Sequence, residues 1–353
     1  MGDVRGMSHI IIDKIGSSAT PACPARSVTY TTERRAASAG DLVVVRAVSE
    51  SLTYGNLELP TGRLAKINEG DVLLGVLGER RALKGFVGTV PEYVAAGDRL
   101  HLLNMGGVIG KCMGQHSSFS DAIQVEVLGT VCNAAGTVTS IRDWALPLSQ
   151  NLTVGVPVIV VAGSCMNSGK TVAAVEIIRQ AVASGLRVAG AKLSGVACLR
   201  DTLNMEDHGA FATASFLDFG LPSTVGITDL APYAKGILNH LGSYSPDLIV
   251  AELGDGIVGG YGVDSVLRDT EVKKAISSLI FCASDYVGVI GGLEVLKGLG
   301  LTIDAVAGSV TDSQMGEDFV RDFLGVGAGN ARRDGERLFR LAYRHSVAEA
   351  VIA

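Results

Sequence analysis

Apolar residues run along this chain in two rhythms. From Val28 to about Val131, short apolar runs alternate with Gly, Asn, Asp and Pro turns: DLVVVRAVS (41–49), DVLLGVLG (71–78), DRLHLLNM (98–105), GVIGKCM (107–113) and AIQVEVLGT (122–130). The runs are strand-like and the gaps between them are too short for helices, so this half reads as a small all-β barrel or sandwich spanning 28–150. Residues 1–27, with Gly, Ser, Ala and two prolines around Cys23, read as a loose leader. After Pro147 to Asn151 the rhythm becomes strand, loop, helix, strand. That order predicts a doubly wound, mostly parallel sheet over 151–353, an α/β domain preceded by the all-β one. VPVIVVAG (156–163) shows no polar alternation and fits a central strand buried on both faces. TVAAVEIIRQAVAS (171–184) follows as a helix stopped by Gly185. Further strands are expected at 186–193, 247–253, 278–284 and 301–310, and helices at 265–276, 291–299, 316–324 and 336–352.

Between the first of these strands and its helix lies Gly163-Ser164-Cys165-Met166-Asn167-Ser168-Gly169-Lys170-Thr171, which ends in the G-K-[ST] of a phosphate-binding loop. Glycine lets backbone N–H groups turn inward around a phosphate, and the helix N-terminus adds positive dipole. Lysine reaches the outer phosphates, and threonine offers a hydroxyl to Mg²⁺. Gly163, Asn167, Ser168, Gly169, Lys170 and Thr171 are therefore the expected nucleotide-binding residues, with Lys170 neutralising the β/γ-phosphates during transfer. Five residues separate Gly163 from Gly169, where the usual spacing is four.

This longer loop resembles that of dethiobiotin synthetase and its relatives, which include ParA/MinD-type ATPases, cobyrinate amidating enzymes and the molybdopterin-guanine dinucleotide accessory protein. Three further segments carry the resemblance. Lys192 in Ala191-Lys192-Leu193-Ser194-Gly195 looks like the lysine of a K-P-x-x-S-G segment that contacts substrate, although proline is absent here and the spacer is shorter. Asp207 falls where the class places a Mg²⁺-binding aspartate, and Asp201 is a rival for that role. Glu252-Leu253-Gly254-Asp255-Gly256 resembles an E-G-x-G-G segment whose glutamate also holds Mg²⁺. Mg²⁺ wants hard oxygen ligands, and Thr171, Asp207 and Glu252 would supply them at the carboxyl edge of the sheet. Ser309-Val310-Thr311-Asp312 sits roughly where related proteins read the base edge. ATP is favoured over GTP mainly by the resemblance.

Composition narrows the function classes. Hydrophobic residues make up 47% and charged residues only 19%, so much of the chain must be buried, and 30 basic against 36 acidic residues show no nucleic-acid footprint. No apolar stretch is long enough to cross a bilayer, and a soluble cytoplasmic protein is expected. Six cysteines lie apart with no C-x-x-C pair and read as structural thiols; Cys165, in the loop, reads as filler. The phosphate loop and the resemblance together imply an ATP- and Mg²⁺-dependent ligase or phosphotransferase acting on a small anionic metabolite, with Lys192 orienting the acceptor. One alternative is a nucleotide-gated accessory protein, working as a homodimer, that delivers a cofactor or metal. A lower one is a P-loop-containing N-acyltransferase. The β-rich part is expected to be separable at about Asn151.

Overall fold

The computed structural model describes residues 7–350, which cluster into two compact units. Of the described residues, the second unit holds 147–195, 201–215 and 226–350, and the first holds 7–146 together with Val196–Arg200 and Phe216–Val225. Its five principal strands are β1 (Leu42–Ala47), β2 (Val72–Leu77), β3 (Arg99–Leu102), β4 (Val108–Gln115) and β5 (Gln124–Val131). β5 pairs with β1, β1 with β2, β2 with β4, β4 with β3, and β3 with β5 again. The pairing closes on itself, so the expected barrel or sandwich is a barrel, and closure leaves these strands no open edge. Alternation does the rest: Val43, Val45 and Ala47 of β1 point into one core with Leu73 and Leu77 of β2 and Val125 and Val127 of β5.

Two expectations for this unit change. The supposed leader is structured from Met7: strand Met7–Ile11 pairs antiparallel with Ser27–Thr31, and Ser17–Ala22 forms a 3-10 turn with Ser17, Ser18 and Ala19 buried. Its Gly, Ser and Ala content therefore reflects close packing. The main segment of the unit ends at Leu146, but two later segments also belong to it. Val196 bridges Ser223, and Ala197 N–H donates to the Pro222 carbonyl, so two later segments pair with each other inside it. The Asn104 amide donates to the Ala197 carbonyl at 2.7 Å. The buried Glu58 carboxylate accepts from Leu199 N–H at 2.8 Å and from the Cys198 thiol at 3.1 Å.

In the second unit the strands are β6 (Val158–Gly163), β7 (Val188–Ser194), β8 (Ala212–Ser215), β9 (Leu248–Leu253), β10 (Ile276–Cys282), β11 (Ala305–Ala307) and β12 (Gly327–Ala328). Among the described residues they form one all-parallel sheet in the order β8-β7-β9-β6-β10-β11-β12. The helices that position the site are α1 (Lys170–Ala183), α2 (Arg200–Asp207), α3 (Ala231–Gly242), α4 (Tyr286–Gly298) and α5 (Gly335–Ala350). α1 and α5 cover one face, where Ala173, Ala174, Ile177 and Ile178 meet Ile159 and Val161 of β6. α3 packs on β7, β8 and β9, and α4 packs on β10.

Several elements differ from their expected extents. The helix expected at 265–276 breaks at Asp269, whose side chain caps the second piece (Thr270–Ala275) by accepting from Glu271 and Val272 N–H groups. α4 begins at Tyr286, five residues earlier than expected, because Asp285 caps it by accepting from Gly288 N–H. The strand expected at 301–310 shrinks to Ala305–Ala307, and 316–324 becomes Gln314–Asp318 followed by a wide turn over Phe319–Phe323. The last positions of the final helix lie outside the described residues. Four of the labelled elements of this unit escaped the apolar pattern altogether: α2, β8, α3 and the two-residue β12. No helix among the described residues is long and apolar enough to cross a membrane.

Candidate functional site

Strand register explains why distant residues meet. Val161 of β6 lies opposite Glu252 of β9, and Glu252 lies opposite Lys192 of β7. Residues in register on parallel strands share a face, and Val161 packs on the α1 side. Lys192 and Glu252 therefore project beside the first turn of α1. The Thr171 hydroxyl donates to Glu252 Oε1 at 3.0 Å, and Lys192 Nζ lies 2.7 Å from that same oxygen and 2.7 Å from Asp201 Oδ2. Glu252 is only 1% exposed. Burial alone would lower the Lys192 pKa, but Asp201 and Glu252 outweigh it and hold the ammonium above its ordinary value.

The loop itself is built as its residue types require. Gly169 adopts φ +102°, and a Cβ there would stand 2.8 Å from Gly308 Cα, so a side chain is excluded twice over. Lys170 is buried, and its Nζ bends back to donate to the Cys165 carbonyl at 2.7 Å. Burial pushes its pKa down, with Lys192 adding repulsion and Glu252 opposing both. Ser168 Oγ and Glu252 Oε2 are buried without a hydrogen-bond partner. Cys282, opposite Gly163 in register, is fully buried and its thiol is pushed up to about 12 by that burial, so it is chemically inert.

Asp207 does not join this group. It is exposed at the far end of α2, from which the chain returns by a Phe211 N–H to Val188 O bond to the amino end of β7. Lys192 sits at the opposite, carboxyl end. Asp201, in the first turn of α2, is the acidic residue that reaches it. The physical reason is helix length: six residues carry the chain about 9 Å along the axis, away from the carboxyl edge.

One residue that received no role from the sequence lies in the same place. Asp255 takes φ +65°, unusual for a residue with a side chain. A Cβ on the next residue, Gly256, would stand 2.4 Å from the Ser164 carbonyl, so this turn is pressed against the phosphate loop. Burial pushes the Asp255 pKa up, while the Lys170 charge and the Gly256 N–H pull against the shift. The only hint in the text was the glycine-dense stretch after Glu252. A shallow cleft continues from the loop, lined by Gly169, Val172, Gly308, Ser309, Asp312 and Asn330. Buried Asn330 donates its amide to Asp312 Oδ1 at 2.9 Å and to the Thr311 carbonyl at 3.0 Å, and so fixes the Ser309–Asp312 segment.

Strand, glycine-bounded turn and buried lysine at a helix start define the second unit as a P-loop α/β domain. No family model matches the chain, and no curated protein matches it. Among solved structures it is similar to the signal recognition particle receptor FtsY from Elizabethkingia anophelis, at 14% identity and TM-score 0.37 over 56% of this chain and 68% of that one. A DUF1611 family protein from Anabaena variabilis gives 12% and 0.39 over 57% of this chain and 63% of that one. Hydrogenase maturation factor HypB from Archaeoglobus fulgidus gives 15% and 0.31 over 54% and 77%.

Proposed function

We propose that the second unit binds a purine nucleoside triphosphate with Mg²⁺, and that the protein uses it as a ligase or phosphotransferase acting on a small anionic metabolite. The observation that carries this reading is the meeting of Thr171, Glu252, Lys192 and Asp201 beside a buried, back-folded Lys170. A Mg²⁺ ion fits these residues: Thr171 and Glu252 offer hard oxygens, and the buried Glu252 Oε2 has no partner to give up. Among the described residues no three His, Cys, Asp or Glu side chains form a metal cage, which suits a cation that keeps phosphate and water ligands. When bound, Mg²⁺ supplies charge neutralisation for the outer phosphate oxygens.

The chain's own groups divide the remaining work. Lys170 exchanges its loop carbonyl for phosphate oxygen, and its ammonium follows charge as the transfer proceeds. Lys192 is now compensated by two carboxylates. A dication held at Glu252 would draw on part of that carboxylate's charge and leave the Lys192 ammonium less compensated, which would favour an anionic acceptor beside it. Asp255, on a turn pressed against the loop and kept partly out of water, is suited to hold the acceptor's proton. Asp312 offers an acceptor-only carboxylate to base N–H groups in the cleft, a chemistry that serves adenine and guanine alike.

Thermal melting with ATP·Mg²⁺ and GTP·Mg²⁺ tests the reading. One of the two should stabilise the protein by about 2.7 kcal/mol at a concentration 100 times Kd, and Lys170→Ala should remove most of the gain. Nucleotide consumption should then require a metabolite from a panel of small anions. Hydrolysis indifferent to every metabolite would point to the gated accessory protein, and a requirement for acetyl-CoA without nucleotide to the acyltransferase. Equal melting shifts in wild type and Lys170→Ala would sink the site assignment.

A further inference from the structure

The cleft beside the phosphate loop owes its chemistry to a residue that cannot itself touch a ligand. Buried Asn330 commits its whole hydrogen-bonding capacity to the protein. Its NH2 group donates to Asp312 Oδ1 and to the Thr311 carbonyl, and its oxygen accepts from the Arg332 and Arg333 N–H groups at 3.0 and 2.9 Å. Thr311 is held from two further sides: its hydroxyl donates to the Gly308 carbonyl at 2.8 Å, and the Arg333 guanidinium donates to its carbonyl at 2.9 Å. The segment that carries Asp312 is therefore fixed by the protein alone. It is also set against the phosphate loop, since a Cβ on Gly308 would stand 2.1 Å from the Ser168 carbonyl. Of the polar side chains lining the cleft, Ser309, Asp312 and Arg332 remain to meet a base. Among them Asp312 is acceptor-only and Arg332 donor-only.

We propose that this cleft selects guanine over adenine, with Asp312 as the residue that decides between them; the inference rests on the nucleotide reading given above. Any base N–H can meet a carboxylate, and what separates the two purines is the atom beside it. On guanine, N1–H and the 2-amino group are adjacent donors. A carboxylate can accept from both at once, and its charge strengthens each bond. On adenine, the 6-amino group stands beside N1, whose lone pair would face the second carboxylate oxygen, acceptor against acceptor. A side-chain amide would suit adenine, because it offers one donor and one acceptor together. The amide that lines this cleft belongs to Asn330, and both its ends are already engaged. Arg332 tilts the balance the same way: a donor-only group has a partner in the O6 of guanine and none in the 6-amino group of adenine.

Calorimetric titration of the full chain with Mg²⁺ complexes tests it. Inorganic triphosphate, which has no base, reports on the phosphate loop alone. GTP should bind about tenfold or more tighter than ATP, with ITP, which lacks the 2-amino group, between them. Asp312 is exposed, so Asp312→Asn should fold. Its amide keeps an oxygen for Asn330 and turns an NH2 group outward, replacing an acceptor by a donor. The variant should lose about tenfold or more for GTP and gain for XTP, whose C2 carbonyl stands where guanine has its amino group. A gain for one base beside a loss for the other separates altered reading from general damage. ATP binding as tightly as GTP to wild type, or an Asp312→Asn variant that still prefers GTP to XTP, would overturn the proposal while the nucleotide reading stands. If neither inorganic triphosphate nor any nucleotide binds, both are overturned.

Discussion

Glu252 is the residue on which most of the site converges, because its Oε1 serves both Thr171 and Lys192. Glu252→Gln keeps the shape but removes the charge opposite Lys192. It should abolish nucleotide-dependent turnover while also lowering the melting temperature, since breaking a buried ion pair costs about 3–5 kcal/mol. Asp201→Asn should weaken turnover too, whereas Asp207→Asn, altering an exposed residue away from the carboxyl edge, should leave both turnover and melting unchanged. Turnover lost in Asp207→Asn alone would show that the ligand set has been drawn wrongly.

Asp255 gives a prediction with a definite sign. Burial raises its pKa above the ordinary carboxylate value, so the folded chain binds its proton more tightly than the unfolded chain does. Its contribution to stability is present below the unfolded pKa and is lost as pH rises through the folded one. Asp255→Asn removes that loss. Melting curves between about pH 4 and pH 7 should therefore show the variant gaining on wild type as pH rises. A difference that is flat with pH would mean that the carboxylate ionises in the fold as it does in water.

At the scale of elements, the spacing between α2 and β7 decides whether Asp201 reaches Lys192. Gly190, two residues before Lys192 on the same strand, permits the approach: a Cβ there would stand 2.7 Å from Met205 Sδ. Gly190→Ala asks a flexible thioether to shift and should be mild. Gly190→Val should destabilise by about 1–3 kcal/mol through overpacking, displace α2 and weaken turnover; a valine variant with wild-type melting and turnover would show that α2 is not set by this contact. Caps shaped the other elements. Asp269 and Asp285 each begin a helix by accepting backbone N–H groups, and a reading based on apolar period passes over such polar starts. β8 and β12 were missed for a different reason: four and two residues are too few to show any period, and the sheet alone makes strands of them.

At the scale of the whole molecule, the assignment of Val196–Arg200 and Phe216–Val225 to the first unit changes what truncation should do. A shortened chain beginning at Asn151 would keep those segments but lose Glu58 and Asn104, which hold Cys198, Leu199 and Ala197. It would also retain Phe216, Leu217 and Phe219, all buried in the full chain, without the remainder of their unit. Such a chain should aggregate or melt without a cooperative transition, and a sharp, reversible melt from residues 151–353 would show instead that the two segments are dispensable.

The phosphate loop, the parallel sheet after Asn151 and the strands of the barrel were legible in the chain itself. Each rests on local order: a fixed spacing of Gly, Lys and Thr, an unbroken β-branched run before it, and short apolar runs between turns. Barrel closure, the register that sets Glu252 between Val161 and Lys192, the contact of Lys192 with Asp201 and not with Asp207, and the return of two later segments to the first unit were decided by tertiary structure alone. They depend on which strands become neighbours and on how far a helix carries a side chain from the sheet edge. Those distances arise only when residues far apart in sequence pack together, and no period or motif along the chain encodes them.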